Sequence, residues 1–154
     1  MADTQAARRR VLVIDDDASV CEVLKRALSA RGWEVQVATN AEEADDLSIL
    51  SDWDAVMIDK NLPITTGQQF AERVRTRQAN AGIVMMTAEP KSSVDPNLYD
   101  TYLPKPFKNL EELAEVVELA VERRRITRQM EAMKDKVSEY SSTPTPIPGK
   151  PPES

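Results

Sequence analysis

Five polar side chains in this sequence stand directly behind short apolar runs. Asp15 and Asp16 follow Val11–Ile14, Asp59 follows Ala55–Ile58, Thr87 follows Ile83–Met86, and Lys105 comes just after Thr101–Leu103. Acids on surface loops are common, so any one of these residues alone would mean little; a polar residue at each of four such exits calls for a cause. Brought to one rim, three carboxylates raise one another's pKa unless something positive joins them. A hard divalent cation answers that need, because Mg2+ prefers carboxylate and carbonyl oxygens, keeps part of its water shell and commonly binds phosphate as well. Lys105 supplies a second positive charge on a flexible stem, and Thr87 supplies a hydroxyl donor. Phosphoryl transfer needs little beyond in-line placement and neutralised equatorial oxygens. A carboxylate can itself attack phosphorus and form an acyl phosphate.

Composition narrows the alternatives. The 154 residues contain no histidine, which removes the usual zinc, haem and Ser-His-Asp chemistries. The one cysteine, Cys21, cannot form an internal disulfide. With 41% apolar and 30% charged residues a folded body is expected. The longest apolar runs stop at about four residues, far below the roughly 20 of a spanning helix. Arg8, Arg9 and Arg10 are not followed by an apolar segment of signal-peptide length. Membrane insertion and export by that route are therefore not expected, and a cytoplasmic location is. A net charge of −6 argues against a globally basic nucleic-acid binder.

The elements that must position the polar residues follow from periodicity. Val11–Ile14 is a strand buried on both faces. Val20, Val23, Leu24, Ala27 and Leu28 then recur at helical spacing, with Gly32 where the chain needs a left-handed turn. Val35 and Val37 mark a second strand, and Ala41–Leu50 a helix capped at Thr39 or Asn40. Ala55–Ile58 is a third strand, Phe70 and Val74 belong to a third helix after Gly67, and Ile83–Met86 is a fourth strand. Pro90 and Pro96 leave room for only a turn or so of helix in residues 88–100. Thr101–Leu103 is a short fifth strand. Strands alternating with helices at this spacing form a parallel sheet covered on both faces, an α/β doubly wound fold, whose ligands bind beyond the strands' carboxyl ends where strand order reverses.

From Phe107 a helix-favouring stretch without Pro or Gly runs to about Tyr140, roughly 50 Å if helical throughout, and the sheet covers only its first turns. Ile126, Met130, Met133, Val137 and Tyr140 alternate spacings of four and three, a register that reaches back through Arg123 and Leu119 to Val116. A short dimeric coiled coil or a solvated single helix accounts for that row. Arg123, Arg124, Arg125 and Arg128 are expected on a solvated face rather than on nucleic acid. The organisation expected is a flexible N-terminus over residues 1–8, one domain over 9–122, a helical extension over 123–140 and a disordered Pro-rich tail over 141–154.

Over about residues 8–122 the sequence resembles the receiver domain of two-component response regulators. The resemblance is carried by Val11-Leu12-Val13-Ile14-Asp15-Asp16-Asp17, by Met57-Ile58-Asp59-Lys60-Asn61-Leu62-Pro63 with Gly67 eight residues after Asp59, by Met85-Met86-Thr87-Ala88, and by Tyr102-Leu103-Pro104-Lys105-Pro106-Phe107. It implies a flavodoxin-like sheet in the order 2-1-3-4-5. It further implies Asp59 as phosphoacceptor and Mg2+ held by Asp16, Asp59 and the backbone carbonyl of Asn61, with Asp15 acting indirectly through water. Thr87 and Lys105 would contact the phosphoryl group, and the Lys105-Pro106 bond would be cis. Thr87 would move toward the phosphate while Tyr102 turns inward, and Asn61 and Glu89 would tune phosphate lifetime, with self-hydrolysis in minutes or less. The chain would be no enzyme beyond its own phosphoryl transfer and dephosphorylation. Lacking histidine, it would take phosphate from a partner, a sensor histidine kinase or a histidine phosphotransfer protein.

The sequence also departs from that family. Residues between Thr87 and Lys105 are a few short, and prolines occupy the place of the fourth helix, normally part of the output face. The extended C-terminal helix is expected to take over, with a homodimer through it. No direct DNA binding is expected. Two rival readings remain. One is a receiver-shaped interaction or dimerisation scaffold without the chemistry. The other is a haloacid dehalogenase-type phosphatase using Asp15-Asp16-Asp17, which leaves Asp59-Lys60-Asn61 unexplained. A flavodoxin-like FMN carrier is disfavoured, because an acidic triplet replaces the phosphate loop after the first strand.

Overall fold

The computed structural model describes residues 8–63, 65–90 and 93–142, the last five of them in backbone only. In chain order it contains β1 (Arg10–Ile14), α1 (Ala18–Ser29), β2 (Glu34–Ala38), α2 (Ala41–Leu50), β3 (Ala55–Asp59), α3 (Gly67–Arg77), β4 (Gly82–Thr87), β5 (Thr101–Pro104) and α4 (Leu110–Ser142). The five strands form one parallel sheet in the order β2-β1-β3-β4-β5, the doubly wound, flavodoxin-like arrangement expected.

The continuous apolar runs follow from burial on both faces. Because side chains alternate across a strand, Val11 and Val13, Ala55 and Met57, and Val84 and Met86 face one core, where Cys21, Leu24 and Leu28 of α1 and Leu113, Val117 and Ala120 of α4 cover them. Leu12 and Ile14, Val56 and Ile58, and Ile83 and Met85 face the other, under Ala44 of α2 and Phe70, Ala71 and Val74 of α3. Local chemistry starts and stops the helices. Asp17 caps α1, accepting from Ser19 N at 2.9 Å, and Gly32 turns the chain after it with φ of +90°, a conformation that costs glycine little. Asn40 caps α2 by accepting from Glu43 N at 2.8 Å. Thr66 and Gln69 form a capping box on α3.

The described residues of 88–100 behave as their prolines require. The helical content there among the described residues is centred on a 3-10 turn at Pro96–Leu98, and buried Val94 with half-buried Leu98 and Tyr99 packs this segment onto the second core.

Helix α4 differs from expectation at its ends and on one face. It begins at Leu110 rather than near Phe107, because Asn109 Oδ1 accepts from Glu111 N at 2.9 Å while Phe107 packs on the first core. It ends at Ser142, inside the stretch expected to be tail; the rest of that tail, and residues 1–7 of the N-terminal segment, lie outside the described residues. Leu113, Ala114, Val117 and Ala120 bury its inner face, so closely that a Cβ on Gly82 would lie 2.6 Å from the Ala120 backbone. The arginines are not simply solvated. Arg124 is 8% exposed and donates from Nε to the Ala79 carbonyl at 2.7 Å, Arg123 donates to the Asp100 carbonyl at 3.1 Å, and Arg128 Nε reaches Asn80 Oδ1 at 3.1 Å. Only Arg125 stays on its own helix, paired with Glu122. The residues that precede β4 and β5 present oxygens to the helix flank, and the forked guanidinium suits them. Beyond Arg124 the row Ile126, Met130, Met133 and Val137 is exposed; the side chain of Tyr140 lies outside the described residues. Among the described residues no helix is long and apolar enough to cross a membrane.

Candidate functional site

The β1→β2 connection runs one way along the sheet and the β2→β3 connection runs back past β1, so the switch point lies between the exits of β1 and β3, where Asp15, Asp16 and Asp59 emerge. Their carboxylate oxygens lie within 4.8 Å of one another. Asp15 is fully buried and Asp59 nearly so, whereas Asp16 is exposed. Lys105 follows β5 directly and is joined to Pro106 by a cis bond; its Nζ lies 2.6 Å from Asp15 Oδ2 and 3.6 Å from Asp59 Oδ1. Asp15 is fixed further by the Asp17 backbone N–H at 2.9 Å, and its carbonyl accepts from Cys21 Sγ at 3.2 Å. Burial and the neighbouring Asp15 push the Cys21 thiol up to about 11, so that thiol stays protonated and inert.

Two aspartates and one lysine within this space leave negative charge uncompensated. Burial first, then Asp15, pushes the Asp59 carboxyl up to about 6, against the pull of Lys105 and the Asn61 N–H. Burial disfavours the charge on Lys105, but the hydrogen bond it donates to Asp15 and the field of both aspartates outweigh it and its pKa rises. A set of three hard oxygen donors with one shared ammonium suits a divalent cation better than it suits the protein alone.

Glycine is required beside the central aspartate. A Cβ on Gly67 would sit 2.3 Å from the Asp59 carbonyl oxygen, and the Gly67 N–H donates to the Lys60 carbonyl at 2.7 Å. Helix α3 thus starts against the end of β3, where Asp59 lies, and its first N–H holds the Lys60 carbonyl between Asp59 and Asn61.

The remaining residues named from sequence form a neighbouring group. Thr87, buried at the end of β4, accepts from the Glu89 N–H at 3.0 Å. Tyr102 is half-buried, with its hydroxyl donating to the Glu89 carbonyl. Asn61 donates its N–H to Asp59 Oδ1 at 3.3 Å and its side-chain Nδ2 to Glu89 Oε1 at 3.0 Å. Sequence reasoning missed Lys60, which pairs with the Glu89 carboxylate and donates to Ser93 Oγ at 3.0 Å. These contacts, that of Lys60 foremost, hold the Glu89 carboxyl below its ordinary range. The available signal was a lysine set between two site residues, Asp59 and Asn61, with an acid expected nearby.

Comparison with known proteins agrees with this geometry. The family model of the response regulator receiver domain matches residues 11–118. The response regulator MprA of Mycolicibacterium vanbaalenii is 38% identical over 109 residues, 68% of this chain and 46% of that protein; the chain thus spans less than half the length of this relative. A CheY-like receiver domain protein from Methanospirillum hungatei shares the fold, with a TM-score of 0.71 at 23% identity over 79% of this chain and 99% of that one. The response regulator TrrA from Thermotoga maritima, solved in complex with Mg2+ and BeF, is 32% identical with a TM-score of 0.66, covering 73% of this chain and 98% of that one. Fold, acidic rim and matched motifs lead to one assignment: the chain belongs to the response regulator receiver domain family.

Proposed function

We propose that this chain receives a phosphoryl group on Asp59 from a phosphohistidine of a partner, a sensor histidine kinase or a phosphotransfer protein, and relays that event through Thr87 and Tyr102. The observation that carries the reading is the convergence of Asp15, Asp16 and Asp59, with Lys105 against two of them, Asp15 and Asp59. Asp16, Asp59 and the Asn61 carbonyl would hold Mg2+ directly, with Asp15 acting through water. When bound, the ion neutralises the carboxylates and the equatorial phosphoryl oxygens. An Asp59 oxygen forms the new bond to phosphorus as the bond to the imidazole nitrogen breaks, and the imidazole departs without the phosphoryl group. Lys105, already drawn to Asp59, balances the growing charge on the phosphoryl oxygens. The Thr87 hydroxyl exchanges its bond from the Glu89 N–H for one to the acyl phosphate, and Tyr102 responds; the phosphate acts only by favouring one of two states. Asn61 and Glu89 flank the route of the water that ends the signal.

The test is incubation with acetyl phosphate and Mg2+, read by intact mass. The wild type should gain one phosphoryl group, lost on chelation of Mg2+, and Asp59→Ala should gain none. Labelling that survives in Asp59→Ala but vanishes in Asp15→Ala would instead favour the dehalogenase-type reading. The exposed row Ile126, Met130, Met133 and Val137 favours a homodimer through α4 as the output. Scattering with and without beryllofluoride tests it, and a monomer under both conditions would remove it.

A further inference from the structure

Lys60 follows the proposed phosphoacceptor, yet its side chain turns away from Asp59. Its backbone is pinned on both sides: the N–H donates to the Met86 carbonyl at 2.9 Å, and the carbonyl accepts from Gly67 at 2.7 Å. The side chain, 13% exposed, crosses to the segment after β4, where it meets the Glu89 carboxylate and Ser93 Oγ. Ser93 donates its own hydroxyl to the Pro90 carbonyl at 2.6 Å, so its oxygen is oriented to accept from Lys60.

Glu89 is the meeting point of the switch. Its N–H holds the Thr87 hydroxyl oxygen, its carbonyl holds the Tyr102 hydroxyl, and its carboxylate is held by Lys60 and Asn61. In the proposed switch, movement of Thr87 toward a phosphoryl group on Asp59 draws its oxygen away from the Glu89 N–H, and the inward turn of Tyr102 breaks its bond to the Glu89 carbonyl. Whatever fixes Glu89 therefore favours the unphosphorylated state. The Lys60 pair is charge-assisted and half-sheltered, with the lysine side chain 13% exposed and the Glu89 side chain 44% exposed, which makes it the strongest of these restraints; it also immobilises a lysine that would otherwise keep its rotamer freedom.

We propose that Lys60 is a positioning residue that latches the resting switch through Glu89 and Ser93, so that phosphorylation must work against the Lys60–Glu89 bridge. The proposal rests on the reading of Asp59 as phosphoacceptor, and its test separates the two. Simple electrostatics and the latch predict opposite signs. Removing a positive charge next to an anion site should weaken binding of an anion. Removing a latch on the non-binding state should strengthen it, because the ligand no longer spends part of its affinity on release.

The experiment titrates beryllofluoride with Mg2+ into wild type, Lys60→Met, Lys60→Arg, Glu89→Gln and the Lys60→Met/Glu89→Gln double variant. The expected result is an affinity about fivefold tighter for Lys60→Met, the scale of one partly exposed charge-assisted pair, with wild-type affinity restored by Lys60→Arg. Lys60→Met should add nothing in the Glu89→Gln background. Weaker or unchanged binding by Lys60→Met, or equal gains in both backgrounds, overturns the latch. Amide hydrogen exchange supplies a second readout in protein free of Mg2+ and beryllofluoride. Exchange of the Glu89 N–H should quicken several-fold in Lys60→Met, and an unchanged rate also overturns the latch. A wild type that takes up no beryllofluoride defeats the phosphoacceptor reading instead, and leaves the exchange measurement to decide on the latch.

Discussion

At the amino-terminal rim of the sheet, Asp54 accepts from the Arg10 N–H at 2.8 Å, and Asp100 Oδ2 accepts from both the Ile83 N–H at 2.8 Å and Arg75 Nη2 at 2.9 Å. At the carboxyl-terminal rim, Asp15, Asp16 and Asp59 cluster within 4.8 Å, and the one lysine beside them, Lys105, reaches Asp15 and Asp59. The residue types are the same at both ends of the same strands, and the number of positive partners separates them. Acids matched by an arginine or a backbone N–H contribute to stability. Acids that outnumber their cations lose stability and stand ready for an outside ion or an electrophile. The effect is visible at Asp59, raised to about 6.

The strongest way to break this contrast is to exchange roles between the rims. Asp100→Ala should still take phosphate from acetyl phosphate at temperatures where it is folded, whereas Asp59→Ala takes none; labelling lost in the former and kept in the latter would reverse the assignment. The same Asp100→Ala substitution should cost about 3 kcal/mol in urea unfolding, because it leaves Arg75 and the Ile83 N–H without their shared acceptor. A loss below about 1 kcal/mol would show that this acid is no more structural than a surface one.

Asp59→Asn sharpens the contrast through pH. The folded carboxyl is raised above its ordinary value of 3.8 to about 6, so between those values the folded chain holds a proton that the unfolded chain has released. Stability of the wild type therefore falls as pH rises through that window, and levels off above it with a deficit on the order of 3 kcal/mol. Asp59→Asn should be as stable as wild type near pH 3 and more stable at pH 7, by up to that amount. Added Mg2+ should narrow the gap by stabilising the wild type. Equal unfolding midpoints at pH 7 without Mg2+ would refute the charge-crowding account. The smallest effect belongs to neither rim: Arg125→Ala breaks an exposed pair with Glu122 and should shift stability by less than about 0.5 kcal/mol, and a larger loss would mean that the outer face of α4 has a packing role.

The sheet and the acidic rim were legible because their causes are local. Runs such as Val11–Ile14 and Ala55–Ile58 announce strands covered on both faces, and strand exits gather polar residues into one place. Gly67 could be singled out from its spacing after Asp59, although its reason, contact with the Asp59 carbonyl, needed coordinates. Lys60 and Arg124 were not legible. A lysine or arginine in sequence carries no sign of whether it ends in water, on Glu89 or on the Ala79 carbonyl, because that depends on which loops lie within reach of a long side chain. The boundaries of α4 shifted for a related reason: Asn109 and Phe107 had competing fates as cap, helix or core that propensity alone does not rank.

The close packing of α4 against Gly82, with Arg124 clasped by the Ala79 carbonyl, makes the root of that helix a fulcrum. From Arg124 to Ser142 the helix extends roughly 27 Å, so a tilt of about 10° at the root sweeps its tip through roughly 5 Å. A displacement too small to matter among the core side chains becomes, at the far end, as large as one helical turn.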